Sequence, residues 1–373
     1  MSDNLKLRKE LIAEANTIVV KVGTRLLTDE KSVARIVTQL APLVTSGKHV
    51  MLVSSGAVGM GMRILGLQKR SAKLADIQAL AALGQSRLMS IYERNCAECG
   101  FHAAQLLLTS EGLRDRKRYL NVLNCVNALW NQGNLPVINE NDSVSVDELK
   151  FGDNDTLAAL LAVMMRADLT ILLTTVDGLH SVDKNGNLDE RVPLVKVITK
   201  KLMDSASGTD DEAMSIGGMR TKLEAAKIVA SAGEALIIAD GREKDVVKKI
   251  LDGKDVGTLF PPTNSKHMPG RKRWLGFFSK VFGSIVIDDG AVRAISERGK
   301  SLLPSGIIKV KGNFSRGDAI EIIDENDKVV ARGLVNYSSL DLAKFAGKKS
   351  SEFNGILKVG DDEAVHRNNM TLC

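Results

Sequence analysis

Residues 136–162 read PVINENDSVSVDELKFGDNDTLAALLA, and this stretch decides how the rest of the chain is interpreted. Residues 135–138 are typical of a buried strand, whereas residues 156–162 are typical of the first turns of a helix. Between the two lie six carboxylates and three asparagines, which the packing of a loop does not explain. The stretch therefore predicts either a binding site or a loop whose many polar groups would cost folding free energy.

The polar residues fall into two clusters, one directly after the strand and one directly before the helix: Asn139, Glu140, Asn141 and Asp142, then Gly152, Asp153, Asn154 and Asp155. In open α/β sheets ligands bind beyond the carboxyl ends of the strands, where the first cluster lies. Taken alone, Asp155 is typical of a helix N-cap and Asp142 of a turn. Because two clusters bracket one loop, we predict a site. Amide donors beside carboxylate acceptors suit an amino acid.

The composition is that of an ordinary globular protein. The 373 residues are 44% hydrophobic and 26% charged, enough for one large and one small domain. Residues 1–16 lack the apolar core of a signal peptide, and the apolar run at 157–165 is followed by Arg166 and Asp168. We therefore expect a cytoplasmic protein that does not enter the membrane.

The cysteines and the net charge exclude few classes of function. Cys96 and Cys99 have CxxC spacing, but no second pair accompanies them, so we interpret them as ordinary thiols rather than a zinc or redox site. The net charge of +6 fits either nucleic acid or small anionic substrates. Charge alone does not choose between the two.

A lysine precedes a glycine turn at the first predicted strand. Residues 17–22 read TIVVKV, and Gly23 and Thr24 follow before an amphipathic helix. Glycine lets a backbone approach a phosphate, and Thr24 adds a hydroxyl next to free amides. Because Lys21 precedes the glycine, this is not a Walker A loop. By itself, Lys21 fits a strand-end lysine in solvent equally well.

A second turn of small residues follows the predicted strand at residues 49–53. Residues 54–61 read SSGAVGMG, in which Ser55 lacks the flanking glycines of a GxSxG hydrolase, and no histidine stands in a convincing partner position. We therefore predict a backbone-rich pocket for an anion or a substrate. The helical pattern at residues 74–91 indicates packing in the core or at a subunit interface.

A second lysine lies near a glycine-rich helix start. Residues 215–222 read SIGGMRTK and open an apolar helical pattern. Two lysines from distant parts of the chain, Lys21 and Lys222, predict two cations that converge on one phosphate chain. The alternation of strands and helices predicts an α/β fold with a mainly parallel sheet sandwiched between helices.

The motifs VVKVGT, VSSGAVGMG, VINENDSV, FGDNDTLAAL and GGMRTKLEAAK, in this order, resemble the amino acid kinase family over about residues 17–259. The pair INEND and GDND resembles the members that phosphorylate the γ-carboxylate of L-glutamate, the first step of proline biosynthesis. The resemblance implies ATP and Mg²⁺ as cofactors. Relatives that act on N-acetylglutamate, aspartate, carbamate or a nucleoside monophosphate are the alternatives.

The resemblance also implies roles for individual residues. Lys21 and Lys222 would stabilise the transferring phosphoryl group, and Asp155 would hold the two ammonium groups in place. ATP would contact Lys21, Gly23, Thr24, Thr174, Thr175, Ile216, Gly217, Gly218, Met219, Arg220, Thr221 and Lys222. Glutamate would contact Ser55, Gly56, Asn139, Asp142, Asp153 and Asn154. No protein side chain is expected to bind the metal directly.

Two departures from the family pattern lie on the nucleotide side. Family members commonly have Thr-Asp where this chain has Thr174 and Thr175, and Gly-Thr-Gly-Gly-Met where residues 215–219 read SIGGM. Both departures bear on nucleotide preference or affinity rather than on the acceptor.

The sequence changes character after residue 260. Short β-type runs follow at residues 284–287, 307–310, 319–323 and 329–335. Residues 290–318 resemble a PUA domain, a module also attached to RNA-modifying enzymes. We therefore expect an N-terminal extension at 1–16, a catalytic domain at 17–260, a linker at 261–282 and a small β-rich PUA-like domain at 283–373.

The PUA resemblance raises a second hypothesis, an RNA-binding protein whose α/β half is a scaffold. Only 4% of the residues are aromatic, which is few for stacking on unpaired bases. We therefore expect RNA binding as a weak accessory property at most. The kinase resemblance further implies a homo-oligomer, a dimer or tetramer, and proline as a feedback inhibitor, although no residue pattern establishes either.

Overall fold

The computed structural model describes residues 3–144, 154–182, 188–206, 218–263, 268–348 and 362–372. The chain divides into two compact units, residues 1–113 with 117–267 and residues 114–116 with 268–373. Each unit has its own sheet and its own apolar core.

A seven-stranded sheet forms the centre of the first unit. The strands of this unit are β1 (Thr17–Val22), β2 (His49–Ser54), β3 (Ala103–Leu108), β4 (Leu135–Glu140), β5 (Leu169–Thr174), β6 (His180–Val182), β7 (Leu188–Arg191), β8 (Ala235–Asp240) and β9 (Thr258–Phe260). The sheet order is β3-β4-β2-β1-β5-β8-β9, and all neighbours are parallel except β8 and β9. The strands β6 and β7 form a separate antiparallel ribbon.

Helices alternate with these strands. They are α1 (Asp3–Ile12), α2 (Glu30–Thr45), α3 (Ala57–Ile64), α4 (Leu74–Glu98), α5 (Ser110–Arg114), α6 (Arg116–Asn131), α7 (Asn154–Met165), α8 (Lys200–Ser205), α9 (Met219–Ser231) and α10 (Val246–Leu251). Successive strand residues point to opposite faces of the sheet. Val20 and Val22 belong to the core that includes residues of α2 and α4, whereas Lys21 points to the face where α7 packs on β1.

The predicted α/β fold class is confirmed, and most elements lie where the sequence predicts them. The predicted strand at 17–22 matches β1 in both bounds. The predicted helix at 74–91 is longer and ends at Glu98, because Tyr92 and Cys96 continue its buried stripe. A 3₁₀ turn at Thr24–Leu26 separates β1 from α2, so the helix does not begin at the glycine turn itself.

The helices α3 and α4 pack closely through two glycines. A Cβ atom on Gly84 would overlap the carbonyl oxygen of Ala57, and one on Gly61 would overlap the carbonyl oxygen of Leu80. The helices therefore approach at a distance that a larger residue at either position would prevent. This close approach holds the first turn of α3, which follows the end of β2, against the middle of α4.

A five-stranded sheet forms the second unit. Its elements are α11 (Gly270–Arg273), β10 (Val281–Ile287), α12 (Asp289–Ser296), β11 (Ile307–Gly312), β12 (Ala319–Ile323), β13 (Val329–Leu334), α13 (Ser339–Phe345) and β14 (Met370–Leu372). The order is β11-β10-β12-β13-β14, with β10 and β12 parallel and the other neighbours antiparallel. The four β-type runs of the sequence lie in β10 to β13, except that Val335 follows the last residue of β13.

None of the helices in the described part of the chain combines the length and the apolar character that a membrane crossing requires.

Candidate functional site

Four parallel strands deliver the predicted site residues to one edge of the sheet. Asn139 lies near the end of β4, Ser55 follows β2, Lys21 and Gly23 lie at the end of β1, and Thr174 ends β5. Because the sheet order is β4-β2-β1-β5, the strand ends lie along the edge in that sequence. This edge is where ligands bind in open α/β sheets.

The two predicted lysines meet at one carboxylate. Lys21 Nζ lies 2.6 Å from Asp155 Oδ1, and Lys222 Nζ lies 3.1 Å from Asp155 Oδ2. All three side chains are buried, with 7% of each lysine and 1% of Asp155 exposed. The structure therefore brings together cations from β1 and α9, which are 201 positions apart, on the first turn of α7.

Local structure explains why Asp155 holds this position. It lies in the first turn of α7, where the helix dipole favours a negative charge. The buried residues of α7 lie almost all around the helix, so its start is fixed by packing: Leu157, Ala158, Ala159, Leu161, Ala162, Val163 and Met164. Thr221 in the first turn of α9 adds a hydroxyl 3.4 Å from Asp155 Oδ2 and donates to the carbonyl oxygen of Gly218 at 2.9 Å.

The electrostatics of this cluster keep Asp155 ionised. Burial by itself would raise the pKa of the carboxyl group. The charges of Lys21 and Lys222 outweigh burial and lower the pKa of Asp155 to about 2. At neutral pH the cluster is therefore one anion shared by two cations, with a surplus of one positive charge.

A network of neutral amides begins one residue earlier, at Asn154. Its Nδ2 donates to Ser55 Oγ at 2.8 Å and to Asn139 Oδ1 at 2.9 Å. Asn139 Nδ2 in turn donates to Gln85 Oε1 at 3.0 Å. The structure thus brings together three of the residues predicted to contact glutamate, and it joins to them a residue of α4.

Gln85 is not part of any motif that the sequence singles out. The residue is 8% exposed and lies on the buried stripe of α4, beside Gly84 and four positions after Ala81. A polar residue with helical spacing among apolar ones is the signal that would have singled it out, because a buried amide needs hydrogen-bond partners.

The other residues of the predicted acceptor site are placed as follows. Gly56 is the N-cap of α3 and has a φ of 102°, a left-handed conformation that favours glycine. Asp142 is half-buried in the turn after β4. Asp153 lies outside the described residues, so its predicted contact with glutamate stays a prediction.

The residues predicted to contact the nucleotide lie beyond β1 and β5 and at the start of α9. Gly23 is half-buried and Thr24 is exposed. Thr174 and Thr175 are half-buried, and the carbonyl oxygen of Thr175 accepts a hydrogen bond from Arg242 at 2.6 Å.

At α9, Gly218 is the N-cap, and the side chains of the first turn differ in exposure. Met219 and Thr221 are half-buried, whereas Arg220 is exposed and pairs with Glu224 at 3.2 Å. Ile216 and Gly217 lie outside the described residues.

Comparison with known proteins identifies the family. The model of the amino acid kinase family matches residues 16–240, more than half of the chain. The chain belongs to the amino acid kinase family. A PUA domain model matches residues 283–357 of this kinase, so the resemblance of both regions is confirmed.

Curated relatives extend the likeness over nearly the whole kinase. A protein of Thermoanaerobacter sp. (strain X514) named glutamate 5-kinase is 43% identical over 364 residues, covering 95% of this chain and 97% of its own. One of the same name from Pelobacter propionicus is 40% identical over 375 residues, covering 98% and 100%. A solved structure of Giardia carbamate kinase matches with a TM-score of 0.47 and 18% identity, over 66% of this chain and 99% of that one.

In this amino acid kinase, the site consists of a charged cluster and a separate uncharged hydrogen-bond network. Lys21, Lys222 and Asp155 form a buried charged cluster that is preorganised to meet a multiply charged anion. Asn154, Asn139 and Ser55 form an uncharged network that can donate and accept hydrogen bonds in fixed directions. A phosphoryl group fits the first, and a small polar acceptor fits the second.

Proposed function

We propose that this amino acid kinase transfers the γ-phosphoryl group of ATP to the γ-carboxylate of L-glutamate, forming glutamyl 5-phosphate. The order of the strand ends carries the proposal. Asn139 and Ser55 lie at β4 and β2, Lys21 at β1 and Thr174 at β5. An acceptor at the first two and a nucleotide at the last would meet at the lysines between them.

The reaction needs positioning and positive charge rather than a general base. A γ-carboxylate is ionised at neutral pH and is already a nucleophile. The main obstacle is its repulsion by the γ-phosphate, so cations at the transferring group lower the barrier. We assign this role to Lys21 and Lys222, and we assign to Asp155 the task of holding both ammonium groups in position.

We further propose that Mg²⁺ arrives with the phosphates of ATP and adds positive charge to the phosphoryl oxygens. The carboxylate in the charged cluster, Asp155, is shared by two lysines. These residues fit an ion carried by the nucleotide.

The deciding experiment is ADP release with a panel of acceptors: L-glutamate, N-acetylglutamate, L-aspartate and carbamate. L-Glutamate should stimulate ADP release most strongly, and chelation of Mg²⁺ should abolish the stimulation. Stronger stimulation by another member of the panel would reassign the acceptor, and stimulation by none of them would remove the kinase proposal.

The second unit gives rise to a separate proposal, weak accessory RNA binding through the PUA domain. The match of residues 283–357 to the PUA model and the net charge of +6 support it. A gel shift with structured RNA at rising salt tests it, because contacts to phosphates weaken with salt. When RNA binding is abolished by salt or by substitution in the PUA domain, turnover stimulated by glutamate at the same salt concentration should persist.

The family likeness supports a homo-oligomer and inhibition by proline, and the sequence supports a cytoplasmic location and a division of the chain into four parts. We propose a cytoplasmic homo-oligomer, a dimer or tetramer, that proline inhibits, and a chain divided at residues 1–16, 17–260, 261–282 and 283–373. Light scattering on the full chain measures the oligomer. Turnover at rising proline concentration measures the inhibition, and limited proteolysis locates the linker.

A further inference from the structure

The direction of the hydrogen bonds in the amide network can be read from one backbone group. The N–H of Glu140 donates to Asn139 Oδ1 at 2.9 Å, and a backbone N–H can only donate. Asn139 Oδ1 is therefore the acceptor end of its amide. Asn139 Nδ2 must then face Gln85, whose Oε1 accepts at 3.0 Å. The orientation of both amides follows from this network.

The same direction continues into the acceptor pocket. Asn139 Oδ1 also accepts from Asn154 Nδ2 at 2.9 Å, and the second hydrogen of that Nδ2 goes to Ser55 Oγ at 2.8 Å. Both donors of Asn154 are used. Its Oδ1 is buried and accepts no hydrogen bond from a described residue. Ser55 Oγ accepts a hydrogen bond and so keeps its own hydrogen to donate.

We propose that Gln85 is a positioning residue that, together with the N–H of Glu140, holds the Asn139 amide in this orientation, so that Asn154 Oδ1 accepts from an ammonium group and Ser55 donates to a carboxylate. The inference rests on the proposed function. A pocket with one fixed acceptor and one fixed donor selects a zwitterion. Gln85 itself does not touch the substrate, because Asn139 lies between it and Asn154.

The packing of α4 explains why Gln85 can do this. It directly follows Gly84, where a Cβ atom would overlap the carbonyl oxygen of Ala57. The close contact between α3 and α4 brings Gln85 to the end of β4. With 8% of its surface exposed, Gln85 has little water to replace Asn139 as a partner.

The test compares Gln85→Met, which keeps the length but removes the acceptor, with Gln85→Glu, which keeps an acceptor oxygen. For Gln85→Met we expect the KM for L-glutamate to rise about tenfold, the value of one lost hydrogen bond, while the KM for ATP changes less than about twofold. The preference for L-glutamate over glutarate, which lacks the ammonium group, should fall by a similar factor. Gln85→Glu should restore both.

Two further variants guard the interpretation. Gln132→Met makes the same change at an exposed glutamine and should leave every constant unchanged. Gln85→Ser shortens the side chain so that it no longer reaches Asn139. We expect it to have the same effect as Gln85→Met, so it can replace that variant if Gln85→Met does not fold.

Unchanged discrimination against glutarate in both Gln85→Met and Gln85→Ser would overturn the proposal. So would equal rises in the KM of glutamate and of ATP with no rescue by Gln85→Glu. A wild-type protein that phosphorylates no glutamate would overturn the proposed function as well, which distinguishes the two failures.

Discussion

Asn154 and Asp155 are consecutive residues at the start of α7, yet they belong to two networks of opposite character. Asp155 is a buried anion shared by Lys21 and Lys222, whereas Asn154 joins uncharged side chains from β2 and β4. The first two residues of α7 thus belong to different parts of the site, Asp155 to the charged cluster and Asn154 to the network that we propose binds the acceptor. Damage to the charged network should appear in turnover and stability, and damage to the neutral network should appear in substrate affinity.

The largest expected effect is the loss of one lysine. We predict that Lys21→Ala and Lys222→Ala each lower kcat by at least about 10²–10³, the usual effect of removing one preorganised group that stabilises the transition state. Both variants should fold, because Asp155 keeps the other lysine as a partner. Glutamate-dependent ADP release measures kcat, and near-normal turnover in either variant would refute the role assigned to the lysines.

The control for this prediction is Lys227→Ala. Lys227 lies on α9, five positions after Lys222, and is exposed. Its removal changes the net charge of the protein by the same amount, but not at the cluster. Its kcat should stay close to that of the wild type, which would separate a local cation effect from a general effect of charge.

Removal of the shared anion should cost stability as well as activity. Asp155→Asn leaves two buried lysines without their carboxylate, and breaking a buried ion pair in this way costs about 3–5 kcal/mol of unfolding free energy. Urea unfolding followed by Trp130 fluorescence in a Trp274→Phe background reports on the first unit, since these are the two tryptophans of the chain. A loss below about 1 kcal/mol would show that the lysines are solvated without Asp155.

The pH dependence of this loss follows from the pKa of Asp155. Its folded value of about 2 lies below the ordinary 3.8, so the stabilisation is fully present above pH 3.8 and is lost as the pH falls through about 2. The difference in stability between the wild type and Asp155→Asn should therefore be constant from pH 8 to about pH 5 and should narrow in acid. A difference that already narrows near pH 6 would contradict the assigned charge state.

The neutral network should respond differently. We predict that Asn154→Ala raises the KM for L-glutamate about 10- to 100-fold, as expected for one lost hydrogen bond to a charged group, with the KM for ATP nearly unchanged. The unfolding free energy should fall by only about 1 kcal/mol, because no buried charge is left unpaired. Asn131→Ala, at an exposed asparagine of α6, is the matched control. A larger effect on ATP than on glutamate would remove the separation of the two networks.

The parts of this site that the sequence predicts are those with local signals. The end of β1 and the start of α9 are marked by glycines beside a lysine, and the two polar clusters around residues 139–155 are too acidic for packing. The parallel order of strands then brings these ends to one edge. The meeting of Lys21 and Lys222 at Asp155 follows from that topology and is observed at 2.6 and 3.1 Å.

The parts that the sequence does not reveal depend on long-range packing. Gln85 contacts Asn139 only because glycines let α3 and α4 approach closely, and no spacing within α4 encodes that distance. The sequence predicts α4 too short for a similar reason, since Tyr92 carries a hydroxyl that finds its partner, Ser54 at 2.8 Å, only in the folded chain. Whether a polar residue such as Gln85 or Tyr92 can be buried thus depends on hydrogen-bond partners that are distant in the sequence.

The smallest expected effect concerns an ion pair that, unlike the buried cluster, is open to water. His180 in β6 has Nε2 at 2.7 Å from Asp177 and Nδ1 at 2.7 Å from the carbonyl oxygen of Asp189, and these contacts raise its pKa above the ordinary 6.5. The stabilisation is present below pH 6.5 and is lost as the pH rises through the folded value. NMR titration should give a midpoint above 6.5 that falls in Asp177→Asn, while kcat is unchanged. A midpoint that does not move in Asp177→Asn would mean that the backbone carbonyl oxygen of Asp189, and not the Asp177 carboxylate, raises the pKa of His180.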